Sequence, residues 1–255
     1  MTTSSPACFN EKFAEFAAYS TKLFGFDRVI TMSTGVEATD TAVKIARRFA
    51  YRKKNIGENQ AVVLFPEGCF WGRNITACSG STNPAMRKEI GPFTPGFDFV
   101  PFGDHEALDK KLAENKNICA FFIEPIQGEA GVRVPPDGYL TKVSQICKKH
   151  NVLLMCDEIQ SGLGRSGYIL AHHHEPQCKP DVITVSKSLS GGIMPYSAIY
   201  FNNELKDVMG VGDHGSTWFA NPFGAAIAVA ALKVIDEEEL PKNAQVLGKL
   251  FEELT

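Results

Sequence analysis

Residues 152–158 read VLLMCDE, five apolar side chains in a row and then two carboxylates. A strand with one wet face alternates polar and apolar residues. A run that is apolar at every position is buried on both faces, the pattern of a parallel sheet covered by helices on each side. Runs of this kind recur at 28–32, 61–65, 120–124, 181–185 and 198–201. Between them lie segments with helical spacing at 10–24, 35–54, 105–114, 139–150 and 222–239, the first with Asn10 in the cap position. Alternating strands and helices predict an α/β fold, a mainly parallel sheet flanked by helices, with ligands held at the carboxyl ends of the strands. The Pro-rich stretches 91–101 and 134–138 are expected as long loops.

At 255 residues, 44% hydrophobic and 22% charged, the chain has the core of one large domain spanning 1–255. Its 26 basic and 29 acidic residues give a net charge of −3 without a long run of either sign. That balance excludes nucleic acid and an anionic membrane surface as expected partners and points to a small polar substrate. No apolar run approaches the roughly 20 residues of a membrane span, and the opening MTTSSPACFN lacks the basic and apolar regions of a signal peptide. Seven cysteines without a CxxC pair read as free thiols of a reducing, cytoplasmic compartment. His172, His173 and His174 are adjacent, cannot all converge on one ion, and are expected in a solvated loop, so no metal is expected. Asn74-Ile75-Thr76 fits a glycosylation sequon, which the cysteine usage argues against.

The strand-end rule directs the search for chemistry. After 28–32 come Thr34, Gly35 and Val36 at the start of a helix, which either cap it or present N–H groups to an anion. After 61–65 come Phe70, Trp71 and Arg73, either core aromatics with a surface cation or a stacking plate with a carboxylate grip. Glu124 and Glu129 follow 120–124, and Asp157 with Gln160 follows 152–156. A carboxylate at the end of a buried strand is costly unless something positive or protonated meets it. Lys187 follows 181–185; alone it would be an ordinary surface lysine. Together these residues describe a holder for pyridoxal phosphate. That cofactor needs an amine for its aldehyde, an acid for its ring nitrogen, a stacking partner and phosphate donors. Lys187, Asp157, Phe70 and the turn at Thr34, Gly35 and Val36 supply all four.

The motifs that carry these residues are TGVEA at 34–38, FWGR at 70–73, GPFTPGF at 91–97, EPIQGEAGV at 124–132, DEIQSGLGRSG at 157–167, SKSLSGG at 186–192 and HGST at 214–217. On them the chain resembles the class III, fold-type I pyridoxal-phosphate aminotransferases over nearly its whole length, and within them the ornithine branch. The acetylornithine-specific branch typically has His in place of Trp71 and Gly in place of Ala130.

The resemblance implies that Lys187 and Asp157 are catalytic and that Thr34, Gly35, Val36, Phe70, Gln160 and Thr217 complete the cofactor site. Thr217 would reach the phosphate held by a neighbouring subunit, so a homodimer or larger assembly is implied. Trp71, Arg73, Glu124 and Glu129 fall in the substrate set, Arg73 for a carboxylate and Glu129 as a switch pairing with a second arginine. The implied reaction is ornithine δ-transamination with 2-oxoglutarate. The alternatives are another ω-aminotransferase, acting on acetylornithine or 4-aminobutyrate, and an inactive partner subunit. By the same resemblance an N-terminal segment and a C-terminal small domain are missing, and the compartment is cytoplasmic or the mitochondrial matrix. Local departures are Ser33 for Asn, Asp213 for Glu, Met194 for Tyr and Trp218-Phe219-Ala220 for Tyr-Gly-Gly.

Overall fold

The computed structural model describes residues 8–254; the leader-free reading of the first residues and the ends of the 1–255 span lie outside them. Among the described residues seven strands form one sheet: β1 (Arg28–Met32), β2 (Val62–Pro66), β3 (Phe97–Val100), β4 (Ile118–Ile123), β5 (Leu153–Asp157), β6 (Val182–Val185) and β7 (Ser197–Phe201). The spatial order is β1-β7-β6-β5-β4-β2-β3, and only β7 runs against its neighbours. The carboxyl ends of the other six therefore share one edge, to which a mainly parallel α/β sheet brings its ligands.

Eight α-helices lie among the described residues: α1 (Glu11–Phe24), α2 (Gly35–Arg52), α3 (Ile75–Ser79), α4 (Pro84–Arg87), α5 (His105–Glu114), α6 (Tyr139–Lys149), α7 (Pro222–Glu237) and α8 (Leu240–Leu254). None is long and apolar enough to cross a membrane. Strand alternation divides the core. Leu154 and Cys156 of β5 point to the layer formed with α1, α5, α6 and α7, whereas Leu153 and Met155 point to the layer under α2. Both layers are dry, which is why 152–156 is apolar at every position. Asn10 caps α1 as expected, accepting from the Phe13 N–H at 2.7 Å, and its amide also donates to the Ala220 carbonyl at 2.9 Å.

Three sequence expectations are corrected. Residues 97–100, read as loop, form edge strand β3 beside β2. An edge strand has one paired neighbour and three half-exposed side chains here, so it lacks the apolar run of a central strand. Helix α8, beyond the last expected helix, buries none of its residues; Glu239, with φ of +49°, breaks it from α7, and Pro241 sits in its first turn, where a missing N–H is tolerated. The histidine run forms a 3₁₀ turn rather than a solvated loop: His172 is 4% exposed and faces the carboxylate of Glu158.

Phe121 stands at the middle of β4 with no exposed surface. Phe121→Ala is expected to cost about 3–5 kcal/mol, the usual loss for a buried aromatic, measured as a lower denaturant midpoint with an unchanged slope.

Candidate active site

Asp157 is the last residue of β5 and is 5% exposed. Its Oδ1 accepts from the Ile159 N–H and from Thr184 Oγ1, each at 3.0 Å. Oδ2 has no hydrogen-bond partner among the described residues. Burial pushes the carboxyl up to about 7, against the pull of those two donors and of the Lys187 charge. Glu124, just past β4, is raised to about 8 by burial and then by the charge of Asp157. Its Oε1 accepts from the Phe70 N–H at 2.9 Å and Oε2 from the Gly128 N–H at 3.4 Å, so it holds the loop that carries the aromatic plate.

Above these carboxylates lies a cavity of about 170 Å³. It is lined by Gly35, Val36, Phe70, Trp71, Gly72, Glu124, Asp157, Ile159, Gln160, Ser186 and Lys187. The backbone of α2 enters at its N-terminus, where the first N–H groups have no intrahelical acceptor and carry the positive end of the dipole. A capping box closes that terminus: Glu37 Oε2 accepts from the Thr34 N–H at 2.7 Å, and Thr34 Oγ1 accepts from the Glu37 N–H at 3.4 Å. Thr34 is thereby spent on the cap and does not line the cavity, while Gly35 and Val36 do. Gly72 lets the loop lie against the helix, since a Cβ there would stand 2.2 Å from Val36 Cγ2.

Phe70 lies between this loop and the cavity, with the Arg73 guanidinium 5.5 Å from its ring centre. Arg73 is exposed and has no ion pair among the described residues. Trp71 lines the cavity but belongs equally to the core. Its indole stacks on Phe65 at 5.0 Å, and its N–H donates to the Gly80 carbonyl at 2.8 Å. Gln160 Nε2 donates to Glu129 Oε1 at 3.2 Å, and its approach requires Gly128, where a Cβ would meet Gln160 Oε1 at 1.2 Å. Lys187 leaves β6 through Ser186 with φ of +45°, a left-handed backbone uncommon for any residue but glycine. It is exposed and also borders a second, mainly apolar cavity of about 1010 Å³ between the 163–165 loop, α7 and α8.

Of the residues expected from sequence, Lys187, Asp157, Gly35, Val36, Phe70, Gln160, Trp71 and Glu124 line the one cavity. Glu129 touches it through Gln160, and Arg73 through Phe70. Thr34 and Thr217 do not line it; Thr217 is exposed on the irregular segment before α7. Gly72, Ile159 and Ser186 line the cavity without having been singled out. The motifs contain all three, but apolar or small side chains acquire a role there only by close approach.

A buried carboxylate with a free oxygen, a flat aromatic, helix N–H groups and a lysine define a site for an anionic, flat, electrophilic ligand in a parallel α/β protein. The model of the aminotransferase class-III family matches residues 1–254, and the chain belongs to that family, whose members depend on pyridoxal phosphate. The chain is 48% identical to a probable mitochondrial ornithine aminotransferase of Caenorhabditis elegans, over 98% of this chain and 59% of that protein. Among solved structures, an ornithine aminotransferase of Toxoplasma gondii, with partial occupancy of pyridoxal phosphate at its active site, superposes with a TM-score of 0.97. It is 43% identical, covering 100% of this chain and 60% of that one. An acetylornithine aminotransferase of Elizabethkingia anophelis has a TM-score of 0.86 and 42% identity, over 98% and 59%. The chain thus spans about three-fifths of the length of the relatives it matches.

The ligand-free site makes a stability prediction. A carboxyl raised from 3.8 to about 7 contributes stability below its unfolded value and loses it as pH rises through the folded value. Asp157→Asn, which keeps an oxygen for Ile159 and Thr184, should therefore leave the unloaded protein more stable than the parent at pH 8 and no more stable at pH 4. Thermal unfolding at the two pH values measures the difference.

Proposed function

We propose that this chain holds pyridoxal phosphate in the 170 Å³ cavity and acts as the large domain of an ornithine δ-aminotransferase. The reaction converts L-ornithine and 2-oxoglutarate into glutamate 5-semialdehyde and L-glutamate. The observation that carries this reading is the convergence of Lys187, Asp157, Phe70 and the N-terminus of α2 on one cavity wall. The name and 48% identity of the C. elegans relative support the substrate, as do Trp71 and Ala130 against the acetylornithine pattern.

The bound cofactor supplies an electron sink for the carbon that carries the reacting amine. Each residue then has a physical task. Asp157 Oδ2 would accept the ring N–H and, as an anion, would keep that proton in place. Phe70 would stack on the ring, and Glu124 holds the Phe70 backbone for that role. Gly35 and Val36 would donate backbone N–H groups to the phosphate, the usual use of a helix N-terminus, and Gln160 would hold the ring hydroxyl. With the cofactor bound, Lys187 would be the amine that holds its aldehyde, and the Lys187 Nζ would be the group placed to carry a proton to and from the substrate carbon. Arg73 grips a substrate carboxylate, and Glu129 marks the place of the second arginine in the two-substrate switch. Thr217, outside this cavity, serves the phosphate of a partner subunit in a homodimer. The relative's mitochondrial name supports a matrix setting over the cytoplasmic one.

A second reading, acetylornithine as amino donor, is favoured by the E. anophelis structure at nearly the same identity. Turnover with each donor separates the two, and faster turnover of acetylornithine than of ornithine would replace the first reading with the second. Lys187→Ala is expected to abolish the visible absorbance change on adding ornithine and to lower turnover by at least about 10²-fold, the contribution of a general acid–base group. Parental turnover in that variant would remove Lys187 from the chemistry.

A further inference from the structure

The residue after Asp157 is a second carboxylate, Glu158, fully buried and outside the cavity lining. Consecutive side chains leaving a strand point to opposite sides, so Glu158 faces into the protein where Asp157 faces the cavity. Four donors meet it. Oε1 accepts from the His172 N–H at 2.8 Å and from His172 Nδ1 at 2.9 Å; Oε2 accepts from the Ala171 N–H at 2.9 Å and Ser161 Oγ at 3.0 Å. Burial alone would raise this carboxyl, but the His172 hydrogen bond and charge and the two backbone donors hold it below its ordinary value. An ionised carboxylate only accepts, so Nδ1 of His172 carries a proton.

The far end of the same turn is also anchored. Glu175 accepts from the Leu140 and Thr141 N–H groups at 3.2 and 2.7 Å, capping α6, whose own cap residue Gly138 has no side chain to do so. The 171–175 turn is therefore a strut between the end of β5 and α6. On the other side, the Glu158 N–H donates to the Thr184 carbonyl at 2.9 Å, while Thr184 Oγ1 holds Asp157. The Glu158 carbonyl accepts from the Gly162 N–H at 3.0 Å and the Ile159 N–H donates to Asp157 Oδ1 at 3.0 Å, and to these backbone ties the grip on the Glu158 carboxylate adds four donors, the largest set on the segment between Asp157 and Ile159.

We propose that Glu158, seated on Ala171, His172 and Ser161, is a positioning residue that fixes the direction in which Asp157 Oδ2 faces the cavity. This rests on the cofactor reading given above, because it assigns Asp157 a bound partner. A group that acts only through Asp157 loses its effect when Asp157 can no longer serve, whereas a purely structural group destabilises either background equally.

The test is a double-mutant cycle on the full chain, reading the Kd for pyridoxal phosphate from its visible absorbance and Tm in parallel. Glu158→Gln should weaken binding about tenfold with Asp157 present and less than about twofold in an Asp157→Asn background, the coupling expected of neighbours in one network. His172→Leu removes one donor and leaves both backbone donors. It should weaken binding about threefold with the same dependence on Asp157, and it carries the cycle if Glu158→Gln does not fold. Equal losses in both backgrounds, or a lower Tm with unchanged Kd, overturn the inference. An unchanged Kd in Asp157→Asn alone overturns the cofactor reading itself, a separate outcome.

Discussion

Burying a carboxylate without a cation costs several kcal/mol, and at the end of β5 the chain does this at a position lining the cavity, where an incoming ligand can offset it. Asp157 ends a strand that is buried on both faces, and its donors among the described residues are one backbone N–H and one hydroxyl, both on the same oxygen. The other oxygen is left for the cavity. Every neighbouring feature follows from that arrangement. The lysine enters from the next strand, the aromatic plate from the loop after β2, and the helix N-terminus from beyond β1. They meet because six strands end at one edge.

Close backbone approach is the second constraint. Gly72 against Val36, and Gly128 against Gln160, leave no room for a Cβ. Without them the loops after β2 and β4 would stand off from α2 and from Gln160, and the cavity walls would part. The same economy governs polar groups: Glu124 spends its carboxylate on two backbone N–H groups and thereby fixes Phe70 rather than meeting a ligand with charge.

Two adjacent acids, Asp157 and Glu158, are driven in opposite directions by what surrounds them. Burial dominates at Asp157 and raises it, whereas at Glu158 burial is outweighed by the hydrogen bonds and charge of His172 together with the Ala171 N–H, which hold it down. One is kept ready for a partner and the other is already satisfied.

Much of this was legible in the sequence. Runs such as 152–156 announce themselves because both of their faces are buried, so the central strands, the helices between them and the residues at the strand ends could be read directly. Edge strand β3 could not, because its half-exposed residues carry no continuous apolar run; helix α8 does have an apolar stripe at Leu247, Leu250, Phe251 and Leu254, but those side chains stay exposed rather than packing into the core that marks the other helices. His172 read as solvated because its partner lies 14 positions away, and Ile159, Ser186 and Gly72 line the cavity through proximity rather than chemical type. The sequence by itself determined the α/β architecture and the chemical kinds of residue available at its carboxyl edge, since those follow from periodicity and side-chain type. Only the tertiary structure decided which of them share a cavity, which oxygen of Asp157 stays free and which acid is spent on the fold, because burial and hydrogen-bond partners arise from segments far apart in the chain.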